Sequence, residues 1–422
     1  MVHIEKLSLK NVVRYSWQTF VDNFLGNTST RQHKLELYVP GKSRSYLNTD
    51  ILTSEVLYKL KGVSLGKFYG MKGIDIDYLL SGAINIDNLL VEVTIDHLSY
   101  LPAHKLKSLF ENYSVILNDF EEGGNLYGLA GLDLVSFLTE RNIQPKQLFF
   151  VGGCFKQKDY PQLNIHKIQY DYWMIVSATI NNFFSDALMD SAYKQTLLDR
   201  LDQPAKNFCL IPIFKPRIHR LELLAYLDSL NMLDICDWSL AFNFNARINS
   251  YKSLTTKTES LPEHIKTFLT NGKYSFPKFV PNNTGVEWQD IIATNSLNFN
   301  KYKFFVSVET YIGNEITTVL GDCGFASEKT FKCFLTGSAP ILYGPSGIAD
   351  HIRSLGFKTL DDIDTTDYKT VGNYIQQKSI NQTYEKTLIQ HNFDLITNKS
   401  FLTDQIVNPL NKIADLINSI RR

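Results

Sequence analysis

The chain has 422 residues, 44% of them hydrophobic and 20% charged, a globular composition long enough for two cores. Lys and Arg total 43 and so do Asp and Glu, so bulk charge selects neither polyanions nor anionic membrane surfaces as partners. Cys154, Cys209, Cys236, Cys323 and Cys333 are scattered and form no C-x-x-C pair, which argues against a disulfide framework or a zinc site and fits a reducing compartment.

No apolar run approaches the roughly 18 residues of a membrane-spanning helix. The opening "MVHIEKLSLKNVVRYSW" has neither an apolar signal core nor a small-residue cleavage site, so a cytoplasmic protein without a membrane span is expected.

In chain order, short apolar runs alternate with helical spacing, which predicts βαβ units and parallel sheets. The first half gives strands over 89–95 ("LLVEVTI"), 113–120 ("YSVILNDF"), 147–153 ("QLFFVGG") and 164–173, with helices over 102–112, 126–142 and 175–188. Residues 189–206 are polar and end in Gln-Pro-Ala-Lys, where a domain boundary is expected. The second half gives a strand over 208–214, a helix over 216–233 opened by Pro216, and a strand over 238–244. Helices near 261–271 and 285–294 precede a strand over 302–310, a helix opening at Ser327 and a strand over 339–344. From about 361 onward the pattern is helical. The fold class expected is α/β: two Rossmann-like domains, 1–200 and 201–375, facing a cleft, with C-terminal helices over 376–422 packing back across them.

The stretch "FASEKTFKCFLTGSAPILYGPSG" (325–347) carries the chemistry. Ser327 is a good N-cap, and Glu328 in the first turn agrees with the helix dipole, but Lys329 beside exposed N–H groups does not. An anion docked there resolves the conflict, since helix N–H groups and a lysine together bind phosphate. The plain alternative is a capped helix with a solvated Glu-Lys pair. One strand earlier, "FFVSVET" places Glu309 at the carboxyl edge of an apolar run. "FKPRIHR" puts Lys215, Arg217, His219 and Arg220 where a strand opens into a helix, a place where guanidinium groups neutralise phosphate. No GxxxxGK[ST], HExxH, GxSxG or DxD motif in strand context occurs.

Together, "YKFFVSVET" and "FASEKTFKCFLTGSAPILYGPSG" resemble the donor-binding motif of fucosyltransferase-like GT-B glycosyltransferases, a pattern also found in phage-encoded proteins of this type. In that family a strand ending Phe-x-x-x-Glu-Asn is followed by Thr-Glu-Lys, a helix, and a small-residue strand ending Pro-hydrophobic-hydrophobic-aromatic-Gly. "IFKPRIHRLELLAYLDSL" resembles its earlier arginine-bearing segment. The resemblance implies an inverting transfer of sugar from a nucleotide sugar, with 1–200 on the acceptor side and 201–375 holding the donor. It assigns Glu328 to the ribose, Lys329 to the diphosphate, Arg220 or Arg217 to the phosphates and Glu309 to the donor end of the cleft. Ser327, Tyr343 and Gly344 complete the donor-binding set. Thr310 stands where the family has Asn, and the loop from Thr310 to Ala326 is longer than usual, so base and sugar stay open.

Lys and Arg can replace a cation on the leaving diphosphate, so neither cofactor nor metal is expected beyond the nucleotide sugar itself. The general base is sought in "NDFEEGG", at Asp119, Glu121 or Glu122, which follow a strand and precede two glycines, ahead of Asp171 and of Asp96-His97. The acceptor is a glycan or a hydroxymethylated DNA base. DNA would use Arg14, Arg31, Lys34, Lys42 and Arg44, with interleaved aromatics, and the host cytoplasm if the gene is phage-borne. A non-catalytic glycan- or nucleotide-binding module on the same scaffold is the alternative.

Overall fold

Apolar runs rich in β-branched and aromatic residues become the strands of two separate parallel sheets. The computed structural model describes residues 62–64, 76–82, 90–94, 101–119, 134–156, 160–169, 207–213, 216–240, 261–276, 302–309, 324–335, 337–360, 365–381 and 385–396, with short pieces at 171, 199, 278, 312, 317–318, 321–322, 398, 401, 415–416 and 419. The helices expected over 175–188 and 285–294, most of the boundary over 189–206, and the basic residues of the first 50 positions lie outside them. By internal packing the chain divides into two compact units. One is Met1–Thr179 with Asn314–Phe325 and Lys399–Arg422; the other is Ile180–Gly313 with Ala326–Asn398.

The first unit contains β1 (Gly62–Ser64), α1 (Ile76–Leu80), β2 (Leu90–Thr94), α2 (Ala103–Asn112), β3 (Ser114–Asp119), α3 (Leu134–Glu140), β4 (Gln147–Gly152) and β5 (Ile165–Gln169). Its strands run parallel in the order β1-β2-β3-β4-β5. Val91, Val93, Val115, Leu117, Leu148 and Phe150 share a core with Leu106, Leu109 and Phe110 of α2. Their alternates Leu90, Ile116, Phe149 and Val151 are buried as well, so these strands read as unbroken apolar runs instead of alternating ones. α3 stops at Glu140 because Asn142 takes a left-handed conformation (φ 50°), and the Ile143 and Asn142 amides close onto the Leu138 and Thr139 carbonyls.

The second unit contains β6 (Asn207–Ile213), α4 (Ile218–Ser229), β7 (Cys236–Leu240), α5 (Glu263–Thr270) and β8 (Tyr302–Val308). Beyond β8, the segment that belongs to the first unit holds a two-residue hairpin, β9 (Thr317–Thr318) and β10 (Gly321–Asp322). The second unit then resumes with α6 (Glu328–Leu335), β11 (Ala339–Tyr343), α7 (Ile348–Ser354), α8 (Tyr368–Asn381) and α9 (Lys386–Ile396). α4 is shorter than its apolar spacing predicts. Asn231 turns left-handed (φ 55°) and Met232–Asp234 form a single 3₁₀ turn before β7. Trp238, Leu224, Ile265, Phe268, Phe304, Ile341 and Ile375 meet in one core.

This sheet is parallel in the order β11-β8-β6-β7, so the chain builds outward from β6 to β7 and then crosses back to place β8 on the other side. The reversal lies between β6 and β8, and open α/β sheets take ligands at the carboxyl ends of such a pair. Their registered pairs end at Leu210↔Phe305, although β6 continues to Ile213 and β8 to Val308. Pro212 has no N–H with which to continue the ladder. The end of β6 is held from the opposite side: the Ile213 amide donates to the Ser239 hydroxyl at 3.1 Å, and that hydroxyl donates to the Ile213 carbonyl at 3.2 Å.

Helices α4 and α8 approach closely where Gly372 faces Tyr226. A Cβ at Gly372 would stand 2.6 Å from the Tyr226 ring carbon Cδ1. Gly372→Ala therefore costs about 1–3 kcal/mol through overpacking. Urea denaturation measures this, and an unchanged midpoint would contradict the close contact.

Candidate functional site

The carboxyl edge between β6 and β8 is where two helices begin. β6 leads into α4 through Pro216 and Arg217, the extended N-cap (φ −116°, ψ 154°). β8 ends one residue before Glu309, and α6 opens just after Ser327. Glu309 is fully enclosed (0% exposed), as are Ser307 and Thr330, while Lys329 and Arg217 are half-buried.

Glu309 joins these elements through its carboxylate, its carbonyl and its amide. Its Oε1 accepts from the Ser327 amide at 3.0 Å and from the Thr330 hydroxyl at 2.6 Å, on the first turn of α6. Its carbonyl accepts from Arg220 Nη2 at 3.1 Å and lies 3.1 Å from His219 Nε2, both on the first turn of α4. Arg220 Nη2 also reaches the Val308 carbonyl at 3.4 Å. The Glu309 amide donates to the Tyr343 carbonyl at 2.8 Å, at the end of β11. The Tyr343 hydroxyl in turn donates to the His219 carbonyl at 3.3 Å. Gly344 admits the glutamate: a Cβ there would meet Glu309 Cγ at 3.0 Å, and the Gly344 amide is free of Glu309 because it donates to the Thr365 carbonyl at 2.9 Å.

Glu309, Arg220 and Tyr343 are buried, and the atoms described above bond to protein groups that join the edge. A charge at the end of an apolar strand looks the same in sequence whether it faces solvent or caps a neighbouring helix. The puzzle of Lys329 has a partial answer within the fold as well, since a carboxylate already sits at this helix N-terminus.

Lys329 remains at the mouth. Its amide lies 3.3 Å from the Ser327 hydroxyl, the usual N-cap bond, and its Nζ lies 3.5 Å from the same oxygen. Glu328 is the first residue of α6, beside it. Arg217 stands at the α4 cap, followed by Ile218, which is 47% exposed. The edge thus presents cations and two helix first turns, the arrangement that suits an anion. In the first unit, Asp119 is the last residue of β3, Asp171 follows β5, and Glu121, Glu122 and Asp96-His97 lie outside the described residues. Among the described residues, no group of three or more His, Cys, Asp or Glu is placed to hold a metal ion, and no helix is long and apolar enough to cross a membrane. Sequence reasoning missed Ser307, Thr330 and Ser239. The available signal was the polar pair Ser307 and Glu309, two apart in an apolar strand and hence on one face.

No protein-family model matches the chain, and no curated protein sequence matches it. Among solved structures it is similar to an α,α-trehalose-phosphate synthase (UDP-forming) from Burkholderia xenovorans, at 8% identity and TM-score 0.45, over 81% of this chain and 76% of that one. A glycosyltransferase from Rickettsia africae aligns at 11% identity and TM-score 0.44, over 99% and 96% of the two chains. An α1,3-fucosyltransferase with GDP-fucose aligns at 12% identity and TM-score 0.34, over 78% and 77%.

Two outcomes follow from the enclosed carboxylate. Glu309→Leu leaves buried donors on α6 unsatisfied and costs about 2–4 kcal/mol, read from chemical denaturation; a loss under about 0.5 kcal/mol would contradict the role described. Burial, and then the negative charge of Glu309, push the Cys333 thiol well above its ordinary value of 9.0. With its folded pKa raised, the thiol contributes stability that is complete below the unfolded value and is lost as pH rises from there through the folded one, because the unfolded chain ionises first. Denaturation midpoints should therefore fall above pH 9 less steeply in Cys333→Ala than in the parent, and parallel pH profiles would contradict the shift.

Proposed function

We propose that the chain is a glycosyltransferase that moves a sugar from a nucleotide-sugar donor to a hydroxyl acceptor, with inversion at the anomeric carbon. The observation that carries this reading is the sheet reversal between β6 and β8, at whose carboxyl edge one buried carboxylate ties together the first turns of α4 and α6. That is the ligand edge of an open α/β sheet, and Lys329 and Arg217 supply positive charge to it. The donor motif described from sequence falls on the same elements.

In this reading the nucleoside diphosphate rests on the first turn of α6. The Lys329 side chain, with the dipole of the helix, takes up the charge that develops as the anomeric carbon–oxygen bond breaks, and Arg217 adds a guanidinium to the phosphates. Glu328 receives the ribose hydroxyls. The acceptor hydroxyl attacks the face opposite the departing diphosphate, and a carboxylate of Asp119, Glu121 or Glu122 takes its proton. A glycan or a hydroxymethylated DNA base would be the acceptor. The cations needed are side chains, so the proposed reaction uses no metal.

A screen of UDP-, GDP-, CMP- and dTDP-sugars, by thermal shift and by slow hydrolysis of the donor, tests this reading. One nucleotide should stabilise the protein, and Lys329→Ala should weaken its binding about 10–100-fold, the loss of one charge-assisted contact. No stabilisation by any of the four would refute the donor site. Binding without turnover of any donor would support the binding-module alternative.

A further inference from the structure

The usual capping box is Ser/Thr-x-x-Glu/Gln: the N-cap hydroxyl serves the helix amides, and the N3 carboxyl reaches back to the N-cap amide. The opening of α6 reads Ser327-Glu328-Lys329-Thr330, with threonine where the box needs its carboxyl. The missing group comes from another element. Glu309, beyond the end of β8, accepts from the Ser327 amide at 3.0 Å, the bond that an N3 glutamate would have made. Thr330 is bound to the same oxygen at 2.6 Å. The Thr330 hydroxyl lies 3.0 Å from the Ser307 hydroxyl. An ionised carboxylate only accepts, so Thr330 gives its one hydroxyl proton to Glu309 and Ser307 gives its own to Thr330. All three residues are at most 0% exposed, so water does not compete for these bonds.

We infer that Thr330 is a positioning residue for the anion-facing turn of α6, acting through a capping box split between that helix and β8. The inference rests on reading this helix mouth as the donor site. Ser307 and Glu309 stand on one face of β8 and its end, so the strand fixes where the carboxylate sits, and Thr330 locks the helix to it. The direction of the Ser327 and Lys329 amides and the base of the Lys329 side chain are set by that lock. A local box would secure the helix end alone. The split box also sets the helix at one height against the sheet edge where Arg220 and His219 hold the Glu309 carbonyl.

The test compares Thr330→Val, which keeps the shape and loses the hydroxyl, with Thr330→Ser, which keeps the hydroxyl and loses a methyl. Amide hydrogen exchange of residues 327–331 is followed in the ligand-free full chain, and the affinity for the nucleotide found in the screen is measured in parallel. Circular dichroism checks that each variant is folded. The valine variant should exchange about ten-fold faster in this turn and bind the nucleotide about ten-fold more weakly, with the serine variant within about two-fold of the parent in both. Equal exchange in all three proteins, or a serine variant as impaired as the valine one, would overturn the positioning role. If the parent binds no nucleotide, the donor-site reading fails, while the exchange comparison still decides whether the split box holds the turn. If exchange changes but affinity does not, Thr330 only stabilises the helix and the functional role is overturned.

Discussion

The second unit depends on where a single carboxylate is buried. Moving an ionised group out of water is costly unless its lone pairs are met by donors, and removing the partners of such a group leaves the penalty in place. Glu309 meets this requirement with donors from α6, and its backbone engages α4 and β11 in addition. Three elements from two distant parts of the sequence are thereby fixed to the end of one strand. The interaction is short-ranged and dry, so salt screens it little, and it cannot be made halfway.

The sheet supplies the place for this arrangement. β6 is the strand from which the order reverses, and a reversal sends the following helices to opposite sides, so the strand ends between them stay uncovered by any crossover. Pro212 stops the β6–β8 ladder short of both strand ends, and Ser239 holds the end of β6 toward β7 instead. Helix first turns and strand ends meet at this edge, and the side chains of Glu309 and Arg220 hold them together. Glu309, Arg220, Tyr343, Ser307 and Thr330 are enclosed and join the elements of this edge, while Lys329 and Arg217 are half-buried.

Much of the fold was legible because both sheets are buried on both faces, so their strands are short apolar runs that stand out from the polar segments around them. β2, β3, β4, β6, β8 and β11 fall within or at the margins of the expected runs. β1, with three residues, and the hairpin β9–β10, with two residues in each strand, are too short to produce a pattern, and α7 is a single pair of turns behind a left-handed Gly347. The candidate edge was legible in its residues and less so in their contacts. Sequence gave the Ser327-Glu328-Lys329 opening and the two basic residues at the α4 cap, but it offers no way to tell Arg217, which stays half-buried, from Arg220, three residues on, whose helical phase turns it onto the β8 carbonyls. Glu309 was singled out for its charge. Its partner Thr330 was passed over because a threonine in a helix has no chemical signature until a carboxylate from elsewhere in the chain is placed against it.

The central claim is that the carboxyl edge between β6 and β8 receives the diphosphate of a nucleotide. A crystal structure of the chain with the nucleoside diphosphate that binds it tests this most directly. The account predicts phosphate oxygens within hydrogen-bonding distance of Lys329 Nζ at the mouth of α6, with the Glu309 carboxylate still on Ser327 and Thr330. Phosphates bound at any other edge of either sheet, with the α6 mouth empty, would contradict it.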